Sequence, residues 1–304
     1  MYSLSTCWNS GRHTEGRAML RELRELGFDH AELSHGIRMA LVPGILEAVA
    51  AGEIKISSLH NFCPLPIGVD MPAPNLYEFT AERSRERELA VKYTLKTFDF
   101  AVRVKAPLVV LHLGRMELKD YGGKLEEMLE RGERQSPKYE KLLAEATAKR
   151  EARKKGAMER LYATLKIILP EAEKRGLILG CENREAVQEI PVESDFENFL
   201  RDFDSPNIAY WHDCGHGQIK ENLGFIRVTE HLDPLTTRLA GFHIHDVQFP
   251  ARDHCPPGSG MIDYAALKPF VKPEHIKVFE LSPRVSVEDA QRGIAHLKSI
   301  WGDE

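Results

Sequence analysis

The chain is short of the signals that would assign it at a glance. Its five cysteines (Cys7, Cys63, Cys181, Cys214 and Cys255) are odd in number, widely spread and without a C-x-x-C pair. They suggest neither a disulfide framework nor a thiolate zinc knuckle. No apolar run approaches the length of a membrane span, and the opening "MYSLSTCW" has no basic stretch leading into an apolar one. Neither a transmembrane helix nor a secretory leader is therefore expected, and a reducing cytoplasm is the expected compartment. Positive charge is not in excess either: 41 Lys and Arg against 46 Asp and Glu leave a formal net charge of −5. That balance lacks the basic footprint of phosphate-backbone binding, so no nucleic acid or membrane partner is expected.

What is present is the make-up of a soluble globular chain, 42% hydrophobic and 29% charged over 304 residues, enough for two ordinary domains or one large barrel. Apolar, β-branched runs recur at 2–8, 30–34, 55–60, 107–113, 177–182, 208–213, 239–246 and 277–281, and read as eight strands. Helical periodicity lies between them; in 78–104, Val91, Leu95, Phe98 and Val102 step along one face. Gly27 and Gly176 each follow a helical stretch and precede a strand, as in the return of a parallel sheet. Eight strands alternating with helices favour a (β/α)8 TIM barrel over a doubly wound sheet, and no G-x-G-x-x-G follows the first strand. We expect one domain spanning 1–304, with a charged helical insertion after strand four at about 115–160. From Glu117 to Lys155, 20 of 39 residues are charged. The plainer reading is a solvated helix extending the fourth βα unit, and the sharper one an arm that lids the mouth or builds a homo-oligomer interface.

The polar residues fall at the strand ends, where a parallel barrel places its chemistry. Glu32, His60, His112, Glu182, Asp213, His243 and Glu280 end strands two to eight in turn. In "GFHIHDV" alternate residues share a face, so His243 and His245 enter one space. Singly, such histidines are usually structural, and each acid can be a helix cap. Four successive strands, however, bring Glu182, Asp213, His243 and Glu280 to one rim at spacings of 31, 30 and 37 residues. Three carboxylates and one imidazole form a hard donor set that needs a divalent cation among them; Mn2+, Mg2+ and Co2+ suit it, and Zn2+ is tolerated.

These residues also carry a resemblance. "CENR", "HDCGH" (D-x-x-H), "HIHD" (H-x-x-D) and "FEL" on strands five to eight, with "SLHNF" and "LHLG" on strands three and four, resemble the xylose isomerase-like barrels. That group contains sugar phosphate isomerases and epimerases, inosose dehydratase and the endonuclease IV type of AP endonuclease. The likeness covers the chain outside roughly 115–160. It implies a metal held by Glu182, Asp213, His243 and Glu280, with manganese the foremost candidate, and a small-molecule sugar substrate. Its epimerases and isomerases use a metal-stabilised enediolate with two glutamates as acid and base, which implies Glu182 and Glu280 as the catalytic pair. Substrate contacts would come from His60, His112, His216, Arg184, His245 and Arg252, His245 being equally suited to support a ligand from behind. One departure is Phe249, where the tagatose epimerase pattern has an arginine six residues after the strand-seven histidine; Arg252 is the nearby substitute.

Two alternatives use the same site. One is a dehydratase or lyase of inosose or dehydroshikimate type. The other is a multi-zinc phosphodiesterase of endonuclease IV type, in which His60, His112 and His216 would be ligands. Its Asp-x-His is replaced here by the adjacent Asp253 and His254. A non-catalytic sugar- or metal-binding protein is a third class, against which both retained glutamates speak. The long proline-rich stretch 61–79 is expected to cross the mouth and select the substrate.

Overall fold

The structure is a computed structural model and describes residues 1–303. Strands β1 (Tyr2–Ser5), β2 (His30–Leu33), β3 (Lys55–His60), β4 (Leu108–Leu111), β5 (Ile178–Glu182), β6 (Ile208–Asp213) and β7 (Leu239–Ile244) are followed by a short antiparallel pair, β8 (Asp246–Gln248) and β9 (Arg252–Cys255), and then by β10 (Ile276–Phe279). β1 to β7 and β10 close into a barrel in sequence order, each paired in parallel with its neighbours. This is the expected TIM barrel.

The helices are α1 (Gly16–Glu25), α2 (Val42–Ala50), α3 (Ser84–Arg103), α4 (Gly122–Glu130), α5 (Pro137–Glu173), α6 (Phe196–Asp202), α7 (Cys214–Leu223), α8 (Val228–Leu232), α9 (Tyr264–Leu267) and α10 (Val287–Trp301). α1 shows why they form where they do. Glu15 caps it by accepting from the N–H groups of Arg17 and Ala18, Met19, Leu20 and Leu23 bury one face, and Gly27 follows it at φ +90. In α3 Phe98 is buried, whereas Val102, expected on the same face, is half exposed near the end of the helix.

Strand parity builds the barrel interior. Leu108 and Val110 on β4, Trp211 on β6, and Ile276 and Val278 on β10 pack together as one cluster, while Val109, Leu111 and Phe279 join the larger core under the helices. Gly241 makes room for Trp211: a Cβ there would lie 2.6 Å from the Trp211 ring and 2.4 Å from the carbonyl oxygen of Ile276. The same parity, continued toward the C-terminal ends, runs through Glu182, Asp213, His243 and Glu280, so the candidate ligands form the layer above this apolar plug.

Two local departures concern the strand ends. β1 stops at Ser5, and β7 at Ile244, after which the chain turns into the β8–β9 pair. Asp246 drives that turn, its carboxylate accepting from the backbone N–H groups of Val247, Gly258 and Ile262. The charged segment after β4 becomes α4 and the N-terminal half of α5, which then continues as the barrel helix before β5. It is more than a solvated extension: Tyr121, Leu125, Met128, Leu129, Tyr139 and Ala146 bury a second core with Ile219 and Leu223 of α7, Val187 and Val247. Tyr139 Oη also donates to the Leu223 carbonyl at 3.1 Å. Among the described residues no helix is long and apolar enough to cross a membrane, and all five cysteines are free.

Candidate metal centre

One atom of each of Glu182, Asp213, His243 and Glu280 lies within 4.8 Å of the others, and all four residues are buried. Local structure explains the aim of each. Asp213 is both the last residue of β6 and the N-cap of α7, its Oδ1 accepting from His216 N–H at 2.7 Å. This cap fixes the D-x-x-H spacing, because the third helical residue is the one whose N–H reaches the capping oxygen. Capping and ligand duty are compatible here: Oδ2 remains turned to the site, 3.8 Å from His243 Nδ1. Asn183 clamps the two strand ends, its Oδ1 accepting from Asp213 N–H at 2.7 Å and its Nδ2 donating to the Asp213 carbonyl at 3.0 Å.

His243 is the centre. Its Nδ1 faces Glu182 Oε1 at 2.5 Å and Glu280 Oε2 at 3.1 Å, and its Nε2 lies 3.1 Å from Glu32 Oε2. Burial works against a charge on this ring, but the carboxylates of Glu280, Glu32 and Glu182 outweigh it and hold the pKa well above the ordinary imidazole value. Burial likewise opposes ionisation of Glu182, and Arg184, His112 and His243 override it, keeping its pKa well below the usual carboxylate range. Asp213 is lowered too, burial being outweighed by His216 and His245. A single proton on Nδ1 cannot satisfy three carboxylates, whereas a divalent cation ringed by Nδ1 and those oxygens can. The donor set therefore fits the ion that the sequence implies, with Nε2–H donating to Glu32 from behind, as metal-bound imidazoles usually do.

The other site residues take distinct places. His112 Nε2 is 3.1 Å from Glu182 Oε2, and its Nδ1 is 2.8 Å from Oδ1 of Asn75, which brings the loop after β3 to the mouth. Burial and Arg184 lower His112 to about 3, leaving it neutral. His60 Nε2 stands further off, 3.8 Å from Glu182. Arg184 is already engaged, donating to Glu182 at 2.6 Å and to Glu189 at 3.1 Å. His216 Nδ1 lies 3.0 Å from the Asn183 carbonyl. His245 Nε2 contacts Asp213 at 3.1 Å and its Nδ1 accepts from His254 N–H at 2.9 Å. Burial lowers His245, and Asp213 more than reverses this, to about 9, while the backbone N–H of His254 donates to Nδ1. The ring thus stands behind Asp213. Arg252 is exposed at the start of β9 and makes no side-chain hydrogen bond to the cluster. The β8–β9 pair, which has no clear signature in the sequence, carries it to the outer edge.

A family model described as a xylose isomerase-like TIM barrel matches residues 20–300. The chain belongs to that family. No curated protein matches it. Solved structures similar to this xylose isomerase-like barrel include a D-tagatose 3-epimerase-like protein, at 17% identity and TM-score 0.69 over 98% of this chain and 96% of that one. A D-psicose 3-epimerase from Clostridium cellulolyticum H10 follows at 13% identity and TM-score 0.68 over 99% of each chain. The 3-keto-D-glucoside 4-epimerase of E. coli shows 15% identity and TM-score 0.66 over 98% of each. At these identities the likeness is one of fold.

Several contributors escape a reading of the sequence. Glu32 is legible as a strand-end acid, but its contact with His243 needs the barrel to close. Glu189 lies in a loop and gives no sequence signal. His35, edge-on against His60 at 4.8 Å, also faces this space, with a buried Nδ1 that has no partner among the described residues. Two clefts of about 970 and 780 Å³ lie outside the ligand cluster. The first runs between α5 and the α7–α8 region, the second beside Asn75 and Arg115. A ligand cage leaves little void of its own, so the donor chemistry marks the centre better than cleft size does.

Proposed function

We propose that the protein is a divalent-metal-dependent epimerase or isomerase of a small sugar or keto-sugar. The observation that carries this reading is the convergence of Glu182, the last residue of β5, and Glu280, the residue after β10, on the single Nδ1 of His243. Sugar epimerases among its structural relatives support the substrate class. Glu182, Asp213, His243 and Glu280 would hold the ion, Mn2+ being our choice. Bound there, it would supply Lewis acidity toward neighbouring hydroxyl and carbonyl oxygens, making the intervening C–H more acidic.

The two glutamates would move the proton, and their surroundings differ. Glu182 is fastened by Arg184, His112 and His243. The Glu280 carboxylate meets only His243 among the described residues, so it has the freedom to take a proton from a substrate carbon and return one. His112, neutral and held by Asn75, would orient a substrate oxygen. Arg184 would keep Glu182 ionised.

The test is solvent exchange. With Mn2+ and a panel of ketohexoses in D2O, NMR should show deuterium entering at the carbon beside the carbonyl. E182Q and E280Q should each abolish it with an unchanged far-UV CD spectrum. Wild-type exchange in either variant would sink the two-glutamate reading.

A further inference from the structure

The polar cleft of about 780 Å³ opens at the same end of the barrel as the metal centre, among the loops after β3, β4 and β5, with α5 and the start of α3 closing its outer sides. It shares a wall with that centre. Asn75 lines the cleft, and its Oδ1 lies 2.8 Å from Nδ1 of His112, whose Nε2 faces Glu182 at 3.1 Å. Gln188 lines it as well, one residue before the Glu189 that holds Arg184. A single imidazole ring therefore separates the cleft from Glu182.

The frame of the cleft is fixed. Thr80 is buried and ties two of the loops together, its Oγ1 accepting from Arg115 N–H at 2.9 Å and donating to the Arg115 carbonyl at 2.7 Å. Gly114, at φ +112, lets them meet, since a Cβ there would fall 2.5 Å from Thr80 Oγ1. Met116 N–H donates to the Gln188 carbonyl at 2.8 Å and adds the third loop. Within this frame the lining side chains are short of partners. Arg115 pairs with Glu78 at 2.8 Å. Arg153 and Arg160 donate only to the backbone carbonyls of Glu117 and Thr80. Among the described residues, the carboxylates of Glu82, Glu86 and Glu117 and the guanidinium of Arg83, which also line the cleft, make no hydrogen bond or ion pair.

Four guanidinium and four carboxylate groups thus line one space, and their charges balance. No net field selects an anion such as a phosphate. Uncommitted donors and acceptors side by side suit a neutral polyol instead, because carboxylates accept from hydroxyl groups and guanidinium groups donate to them. We propose that the cleft takes the second sugar unit of a keto-disaccharide whose keto-sugar unit occupies the metal centre. Its volume falls within the roughly 300–1,000 Å³ of small-molecule pockets. The proposal rests on the epimerase reading and narrows its substrate. Because the frame is already ordered, contacts to the remote sugar can serve the reaction at the attached one.

Deuterium exchange by the Mn2+-loaded full chain, compared between free ketohexoses and the keto-disaccharides lactulose, leucrose and isomaltulose, tests it. At least one disaccharide should exceed the ketohexoses about tenfold in kcat/KM, the worth of one or two hydrogen bonds to charged groups. E117A and R153A remove exposed side chains, so the fold should tolerate them, and each should erode that preference. Exchange with the ketohexoses but slower exchange with every disaccharide overturns this proposal and leaves the epimerase reading intact. A preference unchanged in both variants overturns it as well. Should no ketose of either kind exchange, the epimerase reading fails, and calorimetric titration with the same disaccharides decides the cleft separately. Binding weakened by E117A and R153A supports it, and no binding overturns it.

Discussion

Glu32 stands 3.1 Å behind Nε2 of His243, on the side of the ring opposite Glu182 and Glu280. Its other partner is the Ser58 hydroxyl at 2.8 Å, and its Oε1 is buried with no partner among the described residues. A buried carboxylate so placed sets the His243 tautomer and keeps Nδ1 free for a metal. E32Q should weaken Mn2+ binding by about 10- to 100-fold, the usual cost of losing such a partner. Calorimetric titration measures it directly, and unchanged affinity would show that Glu32 is only structural.

Gly215 is the floor on which His245 lies. A Cβ there would fall 2.0 Å from the His245 Cε1. Alanine favours a helix interior over glycine by about 1 kcal/mol, yet G215A should lower stability by about 1–3 kcal/mol, because the ring must leave Asp213. A shift of the urea midpoint toward higher concentration would contradict the arrangement.

Metal should stabilise the fold by mass action. At a Mn2+ concentration 100 times the dissociation constant the gain is about 2.7 kcal/mol, or roughly 5 °C in melting temperature for a chain of this size. Scanning calorimetry with Mn2+ and with EDTA should show that difference. Identical curves would argue against the cage.

Acid should loosen the junction of α5 and α7. Glu193 lies half-buried between the buried Arg150 and Lys220. Burial alone would raise its pKa, and the two cations override this and hold it well below its ordinary value of 4.5. Because the folded pKa is the lower one, the stabilisation is full above pH 4.5 and is lost as pH falls below it. E193Q should cost about 3 kcal/mol at pH 7, by leaving two buried cations unpaired, and should flatten the stability loss between pH 5 and 3. Urea unfolding across that range, for both proteins, checks the slope.

The chain's own pattern determined the barrel, its eight strands and the convergence of the four candidate ligands. Those follow from local rules: two-residue parity aims Glu182, Asp213, His243 and Glu280 inward, and one βα unit of spacing brings each to the same rim. Tertiary structure alone decided what surrounds them. Glu32 reaches His243 from a strand 211 residues away in the chain, Glu189 reaches Arg184 from a loop, and the β8–β9 pair sets Asp253 beside His216 while turning Arg252 outward. None of these contacts has a period or a spacing to read, because loop geometry and barrel closure, rather than residue order, determine which side chains meet.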